Sequence, residues 1–163
     1  MALDYTSDAI TNLKTSPPPT PHSAGEVYAI PFYVYLDDEV TTSDLIGLAP
    51  LPPDCLPIDI TLVWSDVDSG TAIVHDVAIL NDDKDDIVAN SDFISGSTTG
   101  QAGGTERLSS DEILDPATWL AETDCPEAHE WKYVAAKVTT PATTATTGTI
   151  RGILTFRAAR NGV

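Results

Sequence analysis

The sequence predicts an all-β protein: an antiparallel β-sandwich with an extended N-terminal arm and one short helix. Three observations predict it. Several stretches alternate apolar and polar residues with a period of two, as half-buried strands do. Short clusters of Gly, Pro, Asp and Ser separate these stretches and supply turn formers. Only one segment, opened by Asp115-Pro116, has the N-cap and N1 proline of a helix start, with the helix running to about Glu122. A jelly roll is the expected form of the sandwich, and an open barrel is the fallback.

Residues 1–25 read as a separate arm, and residues 26–163 as the sandwich domain. The run Thr15-Ser16-Pro17-Pro18-Pro19-Thr20-Pro21 must be extended, because proline fixes φ and offers no donor. Two readings stand for the arm: a disordered tail, or an assembly element that becomes ordered on a neighbouring subunit. In the second reading Leu3, Tyr5, Ile10 and Leu13 are the partner-binding apolar groups, and Pro17, Pro18, Pro19 and Pro21 form the spacer. Removing residues 1–25 should then leave the melting temperature nearly unchanged while weakening attachment.

The first strand, Val27 to Leu36, places Tyr28, Ile30, Phe32, Val34 and Leu36 on one face. Pro31 cannot donate to a ladder, which predicts an edge position or a bulge. The stretch from Leu45 to Leu80 organises the rest. A short extended step, Leu45 to Leu51, leads into a strand from Leu56 to Trp64, with Ile58, Ile60, Leu62 and Trp64 opposite Asp59 and Thr61. The turn Ser65 to Gly70 and a strand from Thr71 to Leu80 complete an expected hairpin. Asn81 to Asp86 is an acidic loop, Ser95 to Thr105 an exposed Gly/Ser/Thr loop, and Ser110-Asp111-Glu112 the cap of a short turn. Trp131 to Thr140 and Gly148 to Ala158 form a second expected hairpin.

The chain has 163 residues, enough for one real core. Eight Lys and Arg against 25 Asp and Glu give a net charge of -17, which repels nucleic-acid phosphates and anionic lipid. No stretch approaches the ~18 consecutive apolar residues of a membrane span. The first residues lack the basic and apolar regions of a signal peptide, so the chain is expected in the cytosol until assembly. Cys55 and Cys125 are isolated; free thiols are the default in a reducing compartment, with a bridge between them left open.

No catalytic constellation is visible, so no enzyme activity and no cofactor are expected. His22, His75 and His129 are lone histidines, and His75 falls on the inward face of a strand. No Ser or Cys lies in a nucleophile motif, and the glycines lack a phosphate-loop Lys partner. The metal candidates are Asp82, Asp83, Asp85 and Asp86, with Asn81, Asn90 and Asp92 in support, since close-spaced hard oxygens suit calcium. Lys84 at the centre and the lack of a closing bidentate Glu favour a solvated loop instead. Asp66 and Asp68 have a similar but weaker case. Trp64, Trp119, Trp131 and Tyr133 could form a sugar platform, with core packing expected for at least two of them.

One resemblance adds to this reading. The Leu/Pro-rich step Leu45 to Pro53, the strand Ile58-Asp59-Ile60-Thr61-Leu62-Val63 and a polar turn lead to Thr71 to Leu80. After the Asp-rich loop the chain closes on Tyr133 to Thr139 and Gly148 to Ala158. This order resembles the small β-sandwich virion proteins of tailed bacteriophages, of the capsid decoration or cement type, over about residues 27–158. The resemblance implies a non-enzymatic structural protein on the outer capsid surface, assembled in the host cytoplasm. Its partners would be the major capsid protein and copies of itself, a trimer among the options, and neither nucleic acid nor membrane. A tail or head-fibre component and a carbohydrate-binding module are the alternatives.

Overall fold

The computed structural model describes residues 3–18, 20 and 26–159. Two spacer residues of the expected arm, Pro19 and Pro21, and His22 lie outside the described residues. The elements are β1 (Tyr5–Thr6), α1 (Asp8–Thr11), β2 (Val27–Leu36), β3 (Leu45–Leu51), β4 (Cys55–Trp64), β5 (Val74–Ile79), β6 (Ile94–Ser97), β7 (Gly104–Arg107), α2 (Pro116–Trp119), β8 (Lys132–Thr140) and β9 (Gly148–Ala158). They build an all-β sandwich of two sheets, ordered β1-β3-β8-β5-β6 and β2-β9-β4-β7. Every pairing is antiparallel except the parallel contact of β1 with β3.

Both expected hairpins are absent. β4 and β5 belong to different sheets, as do β8 and β9. The period of two states which side of a strand is buried, but in a sandwich each sheet buries one side against the other. Alternation therefore cannot distinguish a strand's neighbour in its own sheet from one across the core. Connections 65–73 and 141–147 are long enough to cross the ~10 Å between packed sheets. Among consecutive described strands only β5 and β6 share a sheet and a pairing.

The inward faces meet as expected. Phe32, Val34, Ile60, Leu62, Trp64, Ile150, Leu154 and Phe156 of one sheet pack on Ile46, Leu48, Val77, Ile79, Val134 and Val138 of the other, all buried. β2 is an edge strand, one of the two placements expected from Pro31. β3 is buried at every position, which erases its alternation. One of its sides faces the core, and the N-terminal segment covers part of the other.

Two local expectations change. The stretch Ser95 to Thr105 is not a free loop: it contains the end of β6, a 3-10 turn at Thr99–Gln101 and the start of β7. Its small residues still find ladder partners, because pairing uses the backbone and not the side chain. The helix from Pro116 ends at Trp119. The Asp115 carboxylate accepts from the Thr118 hydroxyl (2.8 Å), and the buried Trp119 indole donates to the Ile113 carbonyl (3.1 Å).

Candidate functional site

The N-terminal segment is the main sequence-level candidate, and the structure seats its described part on its own chain. Tyr5 and Thr6 pair with Ile46 and Gly47 of β3. The Asp4 carboxylate accepts the Leu45 amide at 2.9 Å, and the Ser7 amide donates to the Gly47 carbonyl at 2.9 Å. Ser7 is fully buried and caps α1, its hydroxyl accepting the Ile10 amide at 3.2 Å. Asp8 accepts the Tyr33 amide at 2.8 Å, so a donor on the open edge of β2 is satisfied.

The apolar groups of the segment are used unequally. A β-carbon at Gly47 would lie 2.7 Å from Leu3 Cδ1 and 2.9 Å from Ile10 Cδ1, so any side chain there must displace the ends of both side chains from their present seat. Tyr5 packs at the edge of the main core, and its hydroxyl donates to the Glu39 carbonyl (3.4 Å). Leu13 is half-buried. Pro17 and Pro18 line an open groove with Asp8, Asn12, Pro31 and Pro50. The segment thus has a built seat at the edge of the sandwich.

The metal candidates do not converge. Among the described residues, no three His, Cys, Asp or Glu side chains could hold one ion. Asn81 organises the loop instead: its Oδ1 accepts the amides of Asp85 (3.0 Å) and Asp86 (3.2 Å), and its Nδ2 donates to Asp85 (2.9 Å). Asp86 is paired with Lys137; burial opposes its charge, but the Lys137 ammonium and the Ile87 amide outweigh burial and lower its pKa. Lys84 lies over the Tyr133 ring, 4.7 Å from its centre, where a cation gains from the π face.

Asp68, the weaker metal candidate, is a buried backbone tie. Its Oδ1 accepts the amides of Gly70 (2.8 Å), Thr143 (3.1 Å) and Thr144 (3.0 Å), and its Oδ2 those of Ala72 (2.6 Å) and Ile73 (2.9 Å). Burial works against the charge, but the amides outweigh it and hold the carboxyl far below the usual carboxylate range. Asp68 joins both sheet-crossing connections at one end of the sandwich.

Sequence reasoning missed Glu106 altogether. It sits in β7 and joins the two sheets: Oε1 accepts from Trp64 Nε1 (2.6 Å) and lies 2.9 Å from His75 Nε2, while the Ser97 hydroxyl donates to Oε2. The Trp64 and His75 rings lie 4.2 Å apart, centre to centre. Burial opposes the Glu106 charge, but hydrogen bonds from His75, Ser97 and Thr99 lower its pKa. Ser97 bonds to the carboxylate and not to His75, so the group lacks the serine–histidine contact of a Ser-His-Asp triad. Only the inward parity of Trp64 and His75 hinted that a polar partner was needed between the sheets.

Trp64 and Trp119 are buried core residues, which removes them from any sugar platform. Trp131 and Tyr133 are half-buried and line one open groove with Asp82, Lys84, His129 and Glu130. Both thiols are free: Cys55 is buried, its pKa pushed up to about 11 by burial and by Asp54, and Cys125 is half-buried with its pKa raised by burial.

No family model matches the sequence, and no curated protein does. Solved structures do match. The chain is similar to a chain of the capsid of Ralstonia phage GP4, at 28% identity and a TM-score of 0.73, covering 96% of this chain and 98% of that one. It shares its fold with a chain of the cyanophage Pam1 capsid asymmetric unit, at 19% identity and a TM-score of 0.58, covering 86% and 90%. These structural neighbours are phage capsid components, and they support a structural protein of a phage virion.

Proposed function

We propose that this chain is a non-enzymatic capsid decoration protein, bound as many copies to the outer shell of a tailed phage. The carrying observation is the nearly end-to-end likeness to a chain of the Ralstonia phage GP4 capsid, at an identity that exceeds bare fold similarity. Two further features support the reading. The net charge of -17 keeps the protein off packaged nucleic acid and so suits an outward position. Two of its carboxylates, Asp68 and Glu106, are committed to holding the sandwich together, as a load-resisting module requires.

The passage of the chain from one sheet to the other at nearly every connection supports the jelly-roll form of the sandwich. The arm enters as an assembly element that can leave its seat around Gly47 and take the equivalent seat, or a shell site, on a neighbour. Leu3, Tyr5 and Ile10 are half-buried in the present seat, and each contributes roughly 1–2 kcal/mol only where a partner surface buries it fully. Exchange between chemically equal seats is nearly neutral in energy, and attachment at many points adds.

Co-expression with the shell protein of the same phage tests the function. The chain should co-sediment with assembled shells, and electron cryomicroscopy should place repeated density on their outer surface. Recovery with tails instead would favour the tail or head-fibre reading. Selective glycan binding lost on Trp131→Ala, with no shell attachment, would favour a carbohydrate module.

A further inference from the structure

We infer that the outward face of the four-stranded sheet β2-β9-β4-β7 is a self-association surface that receives the carboxylate-rich flank of a second copy of this chain. The inference rests on the monomer's own surface and goes beyond the proposed shell attachment. The large apolar residues that are most exposed are Val27, Tyr33, Tyr35, Val63, Ile153 and Leu114. The first five occupy outward positions of this one sheet. Registers align Tyr33 with Arg151 and Val63 across three strands, and Pro31 with Ile153 and Thr61 in the next row. Leu114 adjoins them at the rim, beside Arg157.

Charge is segregated on the same face. The chain's arginines are Arg107, Arg151, Arg157 and Arg160, and the three described ones all lie on β7 and β9 of this sheet. Of 25 acidic residues in the chain, one carboxylate, Asp59, occupies an outward position on its four strands, and Arg107 neutralises it. Arg151 is exposed and makes no ion pair among the described residues. Tyr and Arg without Lys is the composition of a buried protein contact.

The occupant follows from charge. In a chain of net charge -17, the outward side of this sheet holds three arginines against one carboxylate, so the excess carboxylate lies elsewhere on the chain and a second copy offers the complementary charge. Two copies meeting sheet to sheet would leave Arg151 without a carboxylate, because the one outward carboxylate of this face, Asp59, is already paired with Arg107. The contact is therefore heterologous, one copy's sheet on another copy's acidic side, and its repetition forms a ring where the rotation closes and an open chain where it does not.

Analytical ultracentrifugation of the full chain at micromolar concentrations tests this. The wild type should self-associate at low salt and dissociate as salt screens the arginine contacts. Arg151→Glu and Tyr35→Ser, both at exposed positions, should keep the wild-type melting curve and weaken association by about tenfold or more. A wild type that stays monomeric at low salt, or an oligomer indifferent to both substitutions, overturns the inference. A monomeric wild type whose variants fail to bind shells assigns the face to the shell, overturning self-association while leaving the capsid function standing. Failure of shell binding with self-association intact has the opposite meaning.

Discussion

Asp68 and Thr144 are joined by a hydrogen bond of 3.0 Å, amide to carboxylate, across 76 residues of sequence. The same carboxylate holds Ala72 and Ile73 on the near side, so one side chain ties together two of the crossings between the sheets, 65–73 and 141–147. Asp68→Ala should lower stability by roughly 3–5 kcal/mol, because it strands several buried amides at once. At ~2–4 °C per kcal/mol for a chain of this size, the melting temperature falls by on the order of 10 °C. The Asp68 pKa is depressed in the fold, so its contribution is complete above the unfolded value near ~4 and declines as pH falls below it. Thermal melts of wild type and Asp68→Asn should therefore converge only in acid.

Glu106 is the polar tie within the core. Glu106→Ala leaves the Trp64 indole, the His75 ring and the Ser97 hydroxyl without their acceptor. A loss of roughly 3–5 kcal/mol is expected, measured by denaturant unfolding with Trp fluorescence. Its pKa is also lowered, so the stabilisation is present above the unfolded value near ~4.3 and is lost as pH falls through the folded value. Glu106→Gln should be the milder variant, since its amide oxygen still accepts.

Gly47 sets whether the N-terminal segment stays seated. Gly47→Val drives its side chain into Leu3 and Ile10, and should release the segment while leaving the two sheets paired. Trypsin should then cut after Lys14 at least several-fold faster than in the wild type. Deletion of residues 1–25 should lower the melting temperature by a few degrees, on the order of 1–2 kcal/mol at ~2–4 °C each. That differs from the unchanged melting temperature that composition suggests for a tail. An unchanged curve would show that the seat contributes nothing to the monomer.

Asp92 shows the opposite pH behaviour. Burial pushes its pKa up to about 6, assisted by the charges of Glu112 and Asp76. A carboxyl with a raised folded pKa destabilises the fold when ionised, so stability should increase as pH falls from 7 through 6. Asp92→Asn should raise the melting temperature at pH 7, by about 2–4 °C if it gains ~1 kcal/mol, with the gain declining below pH 6 and vanishing only near the unfolded value of ~4. Equal gains at pH 5 and pH 7 would refute the assignment to ionisation.

The local rules that the sequence obeys were enough for much of the architecture. Alternation in Val27–Leu36, Cys55–Trp64 and Gly148–Ala158 determined the strands and their inward faces, because a period of two is a property of one strand by itself. Pro31 limited its strand to an edge or a bulge, since it has no donor for a ladder, and the strand stands at an edge. The inward parity of His75 made it a core residue, and the burial bears that out.

What remained was decided by contacts between residues distant in the chain. Alternation is blind to which sheet a strand joins, so the assignment of β4 and β5, and of β8 and β9, to opposite sheets needed the packed core. The amides of Thr143 and Thr144 reach Asp68 only because both crossings lie at one end of the sandwich, and no local pattern encodes that meeting. Gly47 reads as an unremarkable strand glycine until Leu3 and Ile10 are laid over it. The clustering of Arg107, Arg151 and Arg157 on one apolar face, in a chain of net charge -17, likewise appears only when β7 and β9 are placed on either side of β4. Composition fixes the number of charges, and the pairing of strands fixes where they stand.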